Sequence, residues 1–336
     1  MAENLQVLDN ANKVSVKNLL ELNNVSKVFK IGSVLSRVRL TAVDEVSFSI
    51  PADHPVILSV VGESGCGKTT LCKMILRLYE PTSGDILLEN VSYKDWKRDK
   101  LKFFTEVQPI FQNPFEAFSM RKPVDTYLYN TALRLEIAKS KAEARTKADE
   151  ALRSVGMSLA VVEGKYSSQF SGGELQRVSI ARALITRPKI IIADEPVAMI
   201  DASLKMNIVN LFKELKDKFK ISFIYITHDL STAYYVSDYI ATLYRGGLIE
   251  YGASKEIMDS AAHPYTKLLM DSVPRVGDKW EDDIAMADIE EKEYSITYCK
   301  FAPRCPYATD ECIKDKPTMK ELGGGRKVLC NHPLSC

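Results

Sequence analysis

Nowhere in the 336 residues do about 18 apolar residues run together. The longest such stretches, Pro55–Gly62 and Ile190–Ala193, are far too short to span a bilayer, so any membrane role must be borrowed from a partner. An excess of one charge is also missing: 45 Lys and Arg against 44 Asp and Glu leave a formal +1. No whole-chain field therefore recruits nucleic acid or an anionic lipid surface. With only 16 Gly and 14 Pro, beside 46% hydrophobic and 26% charged residues, the composition is neither disordered nor collagen-like but that of an ordinary folded soluble protein. The opening segment Met1–Lys17 carries Glu3 and Asp9 where a secretory signal would have a basic start and an apolar block, so export is not expected. Sustained heptads, internal repeats and CxxC pairs are absent from the sequence.

What is present is ordered punctuation. Short β-like runs at Leu19–Val25, Ala42–Ile50, Val56–Val61 and Asp85–Leu88 are separated by turn formers, with one helical stretch at Thr70–Leu78. Between Pro123 and Gly156 there is neither Gly nor Pro, and Leu128, Ala132, Leu135, Ala148, Ala151, Leu152 and Val155 recur at the spacing of a helix face. This predicts a helical insertion. Lys189–Ala193 and Ile221–Thr227 are short apolar runs suited to buried parallel strands, and alternation of such strands with helices predicts a mostly parallel sheet covered on its faces. Gly277–Glu293 is strongly acidic and reads as a solvated linker before a cysteine-rich tail.

Three motifs carry chemistry. Gly62-Glu63-Ser64-Gly65-Cys66-Gly67-Lys68-Thr69 fits G-x-x-x-x-G-K-[ST], between an apolar run and a helix-like stretch beginning at Thr70. Its glycines let backbone N–H groups turn onto phosphate oxygens, its lysine reaches the β and γ phosphates, and its hydroxyl suits Mg²⁺. Cys66 and Cys72 read as small packing residues. Asp194 and Glu195 follow the apolar run Ile190–Ala193, where buried charge needs compensation; Mg²⁺ explains Asp194, and Glu195 is placed to accept a proton from water, although a strand end reaching solvent would look the same. Ser171-Gly172-Gly173-Glu174-Leu175-Gln176-Arg177 opens a helix about 20 residues before that strand end.

The order of these motifs resembles the ABC ATPases. The resemblance implies an α/β P-loop NTPase fold of that type: a mostly parallel core sheet, an antiparallel β subdomain and a helical subdomain. It further implies that Gly62–Thr70 bind nucleotide, that Thr69, Gln112 and Asp194 serve Mg²⁺, and that Glu195, Gln112 and His228 act in hydrolysis. Ser171, Gly172 and Gly173 would close on the γ-phosphate of the opposite subunit. Asp201 matches the D-loop aspartate, although Ala198 stands where the family usually has serine. Phe29 matches the aromatic that stacks on adenine, while a core role is equally open to it.

Cys299, Cys305, Cys312 and Cys330 form the second constellation. In a reducing compartment a clustered set suggests metal rather than disulfides, and four thiolates at irregular spacing leave an iron–sulfur cluster, zinc or free thiols open. Cys336 and His332 read as non-ligands. Around these cysteines, Phe301–Tyr307 and the upstream His263–Thr266 resemble the C-terminal region of the oligopeptide/dipeptide ABC importers, in which the four cysteines go with a 4Fe-4S cluster. The expected organisation is an ATPase domain over 1–262 with a helical insertion at about 113–170, a linker and connecting helix over 263–298, and a small cysteine-rich extension over 299–336, remote from the phosphate loop. The function implied is ATP hydrolysis powering solute import, of oligopeptides or oligosaccharides. The partners implied are a second ATPase subunit, identical or paralogous, two transmembrane permease subunits and, indirectly, an extracytoplasmic solute-binding protein, with no nucleic acid. The expected place is the cytoplasmic face of the cell membrane. A soluble ABC ATPase of translation or DNA repair would more often carry two cassettes or a long coiled coil, and a dead regulatory module would not keep Lys68, Asp194, Glu195 and His228.

Overall fold

The computed structural model describes residues 17–31, 38–272 and 296–334. The segment to Val16, the acidic stretch Gly277–Glu293 and Cys336 lie outside the described residues. In chain order, the long strands β1 (Asn18–Ile31) and β2 (Val38–Pro51) precede β3 (Ile57–Val61), α1 (Lys68–Ile75), β4 (Ser83–Leu88), β5 (Val91–Ser92), α2 (Lys100–Glu106) and β6 (Val107–Ile110). A run of helices follows: α3 (Pro114–Ala117), α4 (Asp125–Arg134), α5 (Lys141–Ser154), α6 (Leu159–Val162) and α7 (Gly172–Leu184). Then come β7 (Ile190–Asp194), α8 (Ala202–Phe219), β8 (Ser222–Ile226), α9 (Leu230–Val236), β9 (Tyr239–Tyr244), β10 (Gly247–Ala253), α10 (Ser254–Asp259) and α11 (Pro264–Asp271). The tail contributes α12 (Asp310–Lys314) and the hairpin β11 (Met319–Gly323) and β12 (Arg326–Leu329).

Strands run β5-β4-β1-β2-β10-β9-β3-β8-β7-β6 across the sheet. From β9 to β6 neighbours are parallel, whereas β1, β2, β4 and β5 pair antiparallel. The central strands show why such apolar runs fold this way. Successive side chains point to opposite faces, and Ile57, Ile191, Phe223 and Tyr225 join the core beneath the helical run while Leu58, Ile190, Ile192, Ile224 and Ile226 join the core shared with α1 and the antiparallel strands. With both faces covered, every position of β3 and β8 is buried.

The helical insertion is built from several short helices. Leu135 ends α4, Glu136 takes a left-handed φ of 57°, and Ser140 recaps the chain by accepting from the Glu143 N–H while Glu143 Oε2 accepts from Lys139 N. The helix after the phosphate loop is also displaced from the expected Thr70–Leu78; it starts at Lys68 and stops before Arg77, whose φ is 58°.

The tail docks on the sheet. β12 adds antiparallel to β10, and the wholly buried Glu250 accepts from Ala262 N, His263 N and the Arg326 guanidinium. Lys300 and Lys316 pair with Asp44 and Glu45 of β2. Among the described residues no helix is long and apolar enough to cross a membrane.

Candidate active site

The phosphate loop leaves the carboxyl end of β3 and enters α1. Gly62 and Gly67 have φ of 148° and 106°, and a Cβ on either would lie 2.2 Å from a carbonyl oxygen, of Leu243 and Ala42 respectively. Only glycine fits there. α1 has Gly67 at its N-cap and no side chain capping it, unlike α5, α7 and α9, which are capped by Ser140, Ser171 and Asp229. An uncapped helix start beneath a glycine loop is an anion site. Ser64, Gly65 and Thr69 face solvent, Thr70 is half-buried and Cys66 is buried, with burial pushing its thiol up. Lys68 is buried, and its Nζ donates to Gly62 O at 2.7 Å and Glu63 O at 2.9 Å.

The register of the parallel strands collects the other groups at the same edge. Ile110 pairs with Ala193, Asp194 with Ile226 and Val60 with Ile226, so Gln112, Asp194, Glu195 and His228 all leave adjacent strand ends next to the loop. Asp194 is half-buried; burial and the neighbouring Glu195 charge raise its carboxyl above the usual range, opposed by a hydrogen bond from Thr69. Glu195 is held on both sides: Gln112 Nε2 donates to Oε2 at 3.0 Å, and His228 Nδ1 lies 3.1 Å from Oε1. Its φ of 44°, unusual for a side chain of this size, aims the carboxylate off the strand end. The hard oxygens of Asp194 and Thr69, already in contact, suit Mg²⁺.

Ser171 caps α7 in a reciprocal box, accepting from Glu174 N while Glu174 Oε2 accepts from Ser171 N at 2.9 Å. Gly172 lies so close to the Met199 carbonyl that a Cβ would be 2.9 Å from it, and Asp201 starts α8 without a capping side-chain bond. Helix α7 packs on α3, α4, α5, α8 and β6, whereas α1 packs on β2, β7 and β8. Ser171, Gly172 and Gly173 therefore belong to a different part of the chain from the loop. Phe29 is half-buried rather than in the core, edge-on to Tyr79 at 5.6 Å, on β1 opposite Leu40 of the strand whose Ala42 abuts Gly67.

Cys299, Cys305, Cys312 and Cys330 line one small cavity with His263 and Phe301. Burial pushes the thiols of Cys299 and Cys305 up, and that of Cys330 up to about 11. Among the described residues no group of three or more His, Cys, Asp or Glu is drawn together as one ion would require. The tail is not remote from the phosphate loop. Arg304 donates both guanidinium NH₂ groups to Glu63 at 3.0 Å, and the Glu63 N–H donates to the buried Tyr265 hydroxyl at 2.9 Å. Sequence reasoning missed both contacts.

Comparison with known proteins follows the same division. A profile described as ABC transporter matches residues 43–198, and one for the C-terminal region of oligopeptide/dipeptide transporters matches 249–312. The oligopeptide transport ATP-binding protein AppF of Bacillus subtilis (strain 168) is 35% identical over 94% of this chain and 97% of its own. The chain belongs to the ABC transporter ATP-binding subunits of the oligopeptide/dipeptide group. This ABC ATPase is also 35% identical to the oligopeptide transport ATP-binding protein OppF of Haemophilus influenzae, over 93% of this chain and 96% of that one. It is 30% identical to the di/tripeptide transport ATP-binding protein DppF of Pseudomonas aeruginosa, over 94% and 98%. The ATP-binding cassette MJ0796, solved as a dimer in a post-hydrolysis state bound to ADP and Pi, superposes with a TM-score of 0.61 at 26% identity, over 70% of this chain and 98% of its own. The ABC ATPase fold and ATP hydrolysis are thereby established for this chain.

Proposed function

We propose that this ABC ATPase powers peptide import from the cytoplasmic face of the membrane, as one of two ATPase subunits beneath a pair of permease subunits fed by an extracytoplasmic solute-binding protein. The observation that carries the hydrolytic reading is the single carboxylate of Glu195 held by Gln112 and His228 beside Asp194 and the phosphate loop. Glu195 accepts the proton of the attacking water, Gln112 and His228 fix the carboxylate, and Lys68 with the loop amides neutralises the β and γ phosphates. Thr69, Gln112 and Asp194 would hold Mg²⁺, which when bound would neutralise phosphate charge. Phe29, with Tyr79 against it, offers a face to adenine.

Ser171, Gly172 and Gly173 serve the partner's nucleotide rather than their own, because they sit on the helical part of the chain; the dimeric MJ0796 cassette is a parallel. Permease docking is supported by a groove lined by Phe104, Phe111, Tyr127, Arg134 and Arg182, in which exposed Phe111 directly precedes Gln112. Peptides are preferred to oligosaccharides because the curated relatives carry peptide-transport names.

At the tail the four thiols line one small cavity, and the likeness of this region to the C-terminal part of oligopeptide/dipeptide transporters is what supports a 4Fe-4S cluster there, with zinc as the alternative. Such a cluster, when bound, cross-links four points of a small unit and contributes folding energy. The test of the import reading is ATP-dependent uptake into vesicles carrying the assembled transporter and its solute-binding protein. Uptake of labelled peptides is expected, and uptake of oligosaccharide instead would reject the solute class.

A further inference from the structure

Glu63 places a carboxylate in a loop that cradles a polyanion, adding negative charge where phosphates are received. In this chain it is gripped at three points. Its carboxylate takes two parallel bonds from Arg304, its N–H is held by Tyr265, and its carbonyl accepts from Lys68 Nζ. The ion pair is largely shielded, with side chains 19% and 23% exposed, so it is screened less than a surface pair. Arg304 is itself fixed by the tail. It closes the turn Ala302–Arg304, its N–H bonded to Phe301 O, and Phe301 packs against Tyr244 and Tyr265 with ring centroids 5.3 and 5.5 Å away.

We infer that Arg304 is a positioning residue for ATP binding: it neutralises Glu63 and draws its carboxylate toward the tail, so that Lys68 and the loop amides meet the phosphates without a competing anion. A carboxylate released from Arg304 would stand beside the Lys68 ammonium, compete for it and repel the nucleotide. Bidentate geometry makes the arginine specific, but most of the effect is charge, which lysine also supplies. The inference rests on reading Gly62–Thr69 as the triphosphate cradle.

The test is titration of the full-length chain with a non-hydrolysable ATP analogue. Arg304→Ala is expected to weaken binding by about tenfold, the scale of one unscreened charge near the phosphates. Arg304→Lys should recover most of the loss, and in a Glu63→Gln background Arg304→Ala should change affinity by less than about twofold. Lys316→Ala, which removes a different tail contact at Glu45, should leave affinity unchanged. An equal loss with Glu63→Gln present, or the same loss in Lys316→Ala, would mean that Arg304 acts only through docking of the tail and would overturn the proposal, as would unchanged affinity in Arg304→Ala. A parent chain that binds the analogue no better than Lys68→Ala would instead reject the cradle reading itself.

Discussion

Asp194 illustrates how the site trades stability for chemistry. Burial and the adjacent Glu195 charge both disfavour its ionised form, so its folded pKa lies above its unfolded one. For a carboxyl the sign follows directly: the ionised form costs stability at neutral pH, and the cost disappears as pH falls through the raised folded value. Asp194→Asn is therefore expected to raise the Tm of the nucleotide-free chain at pH 7 while losing Mg²⁺-dependent turnover, with the Tm difference shrinking toward acid. Melting curves of both proteins from pH 7 downward check this, and a lower Tm for the asparagine variant at pH 7 would contradict it. Lys68 makes a complementary case. Its ammonium donates to the Gly62 and Glu63 carbonyl oxygens and the Cys66 sulfur, so Lys68→Ala is expected to cost at least about tenfold in ATP affinity through lost charge-assisted bonds to phosphate. Titration with ATP measures it, and unchanged affinity would remove the lysine from its role.

At the scale of elements, the phosphate loop depends on close approach as much as on hydrogen bonds. Gly67→Ala would drive a Cβ into the Ala42 carbonyl at a φ of 106°, so both nucleotide affinity and Tm are expected to fall; thermal melts and ATP titration together test this. This part of the molecule was legible in the sequence because glycine spacing, a preceding apolar run and a following helix are all local signals. The buried strands β7 and β8 were legible for the same reason. The break between α4 and α5 has a local mark, Ser140 capping α5 by accepting from the Glu143 N–H, but the absence of Gly and Pro hid it. Nothing local announced that β12 would pair with β10, or that Arg304 would reach Glu63, 241 positions earlier. A long-range ion pair leaves no periodicity, and a hairpin carries no mark of the edge it will join.

For the whole molecule, the proposed role of Ser171, Gly172 and Gly173 at the partner's nucleotide would make one chain half of each composite site. Ser171→Arg is thus expected to spare ATP binding by the isolated chain and to abolish ATP-driven pairing, read as mass in solution with and without ATP. The tail adds a separate expectation. Protein purified without oxygen should be brown with about four irons per chain, and should lose that colour when Cys299, Cys305, Cys312 or Cys330 becomes Ser. A colourless protein with one zinc would favour the other metal. Contact between Arg304 and Glu63 extends this: a disrupted tail is expected to weaken ATP binding as well, and not only its own fold.

The central claim is that Glu195, fixed by Gln112 and His228 at the strand end, is the base of hydrolysis. The direct measurement is ATP turnover by the assembled transporter carrying Glu195→Gln in this chain, with bound nucleotide quantified in parallel. Retained ATP with turnover at this chain's site reduced by roughly 100-fold or more is the predicted result. Hydrolysis there at the parent rate would contradict it.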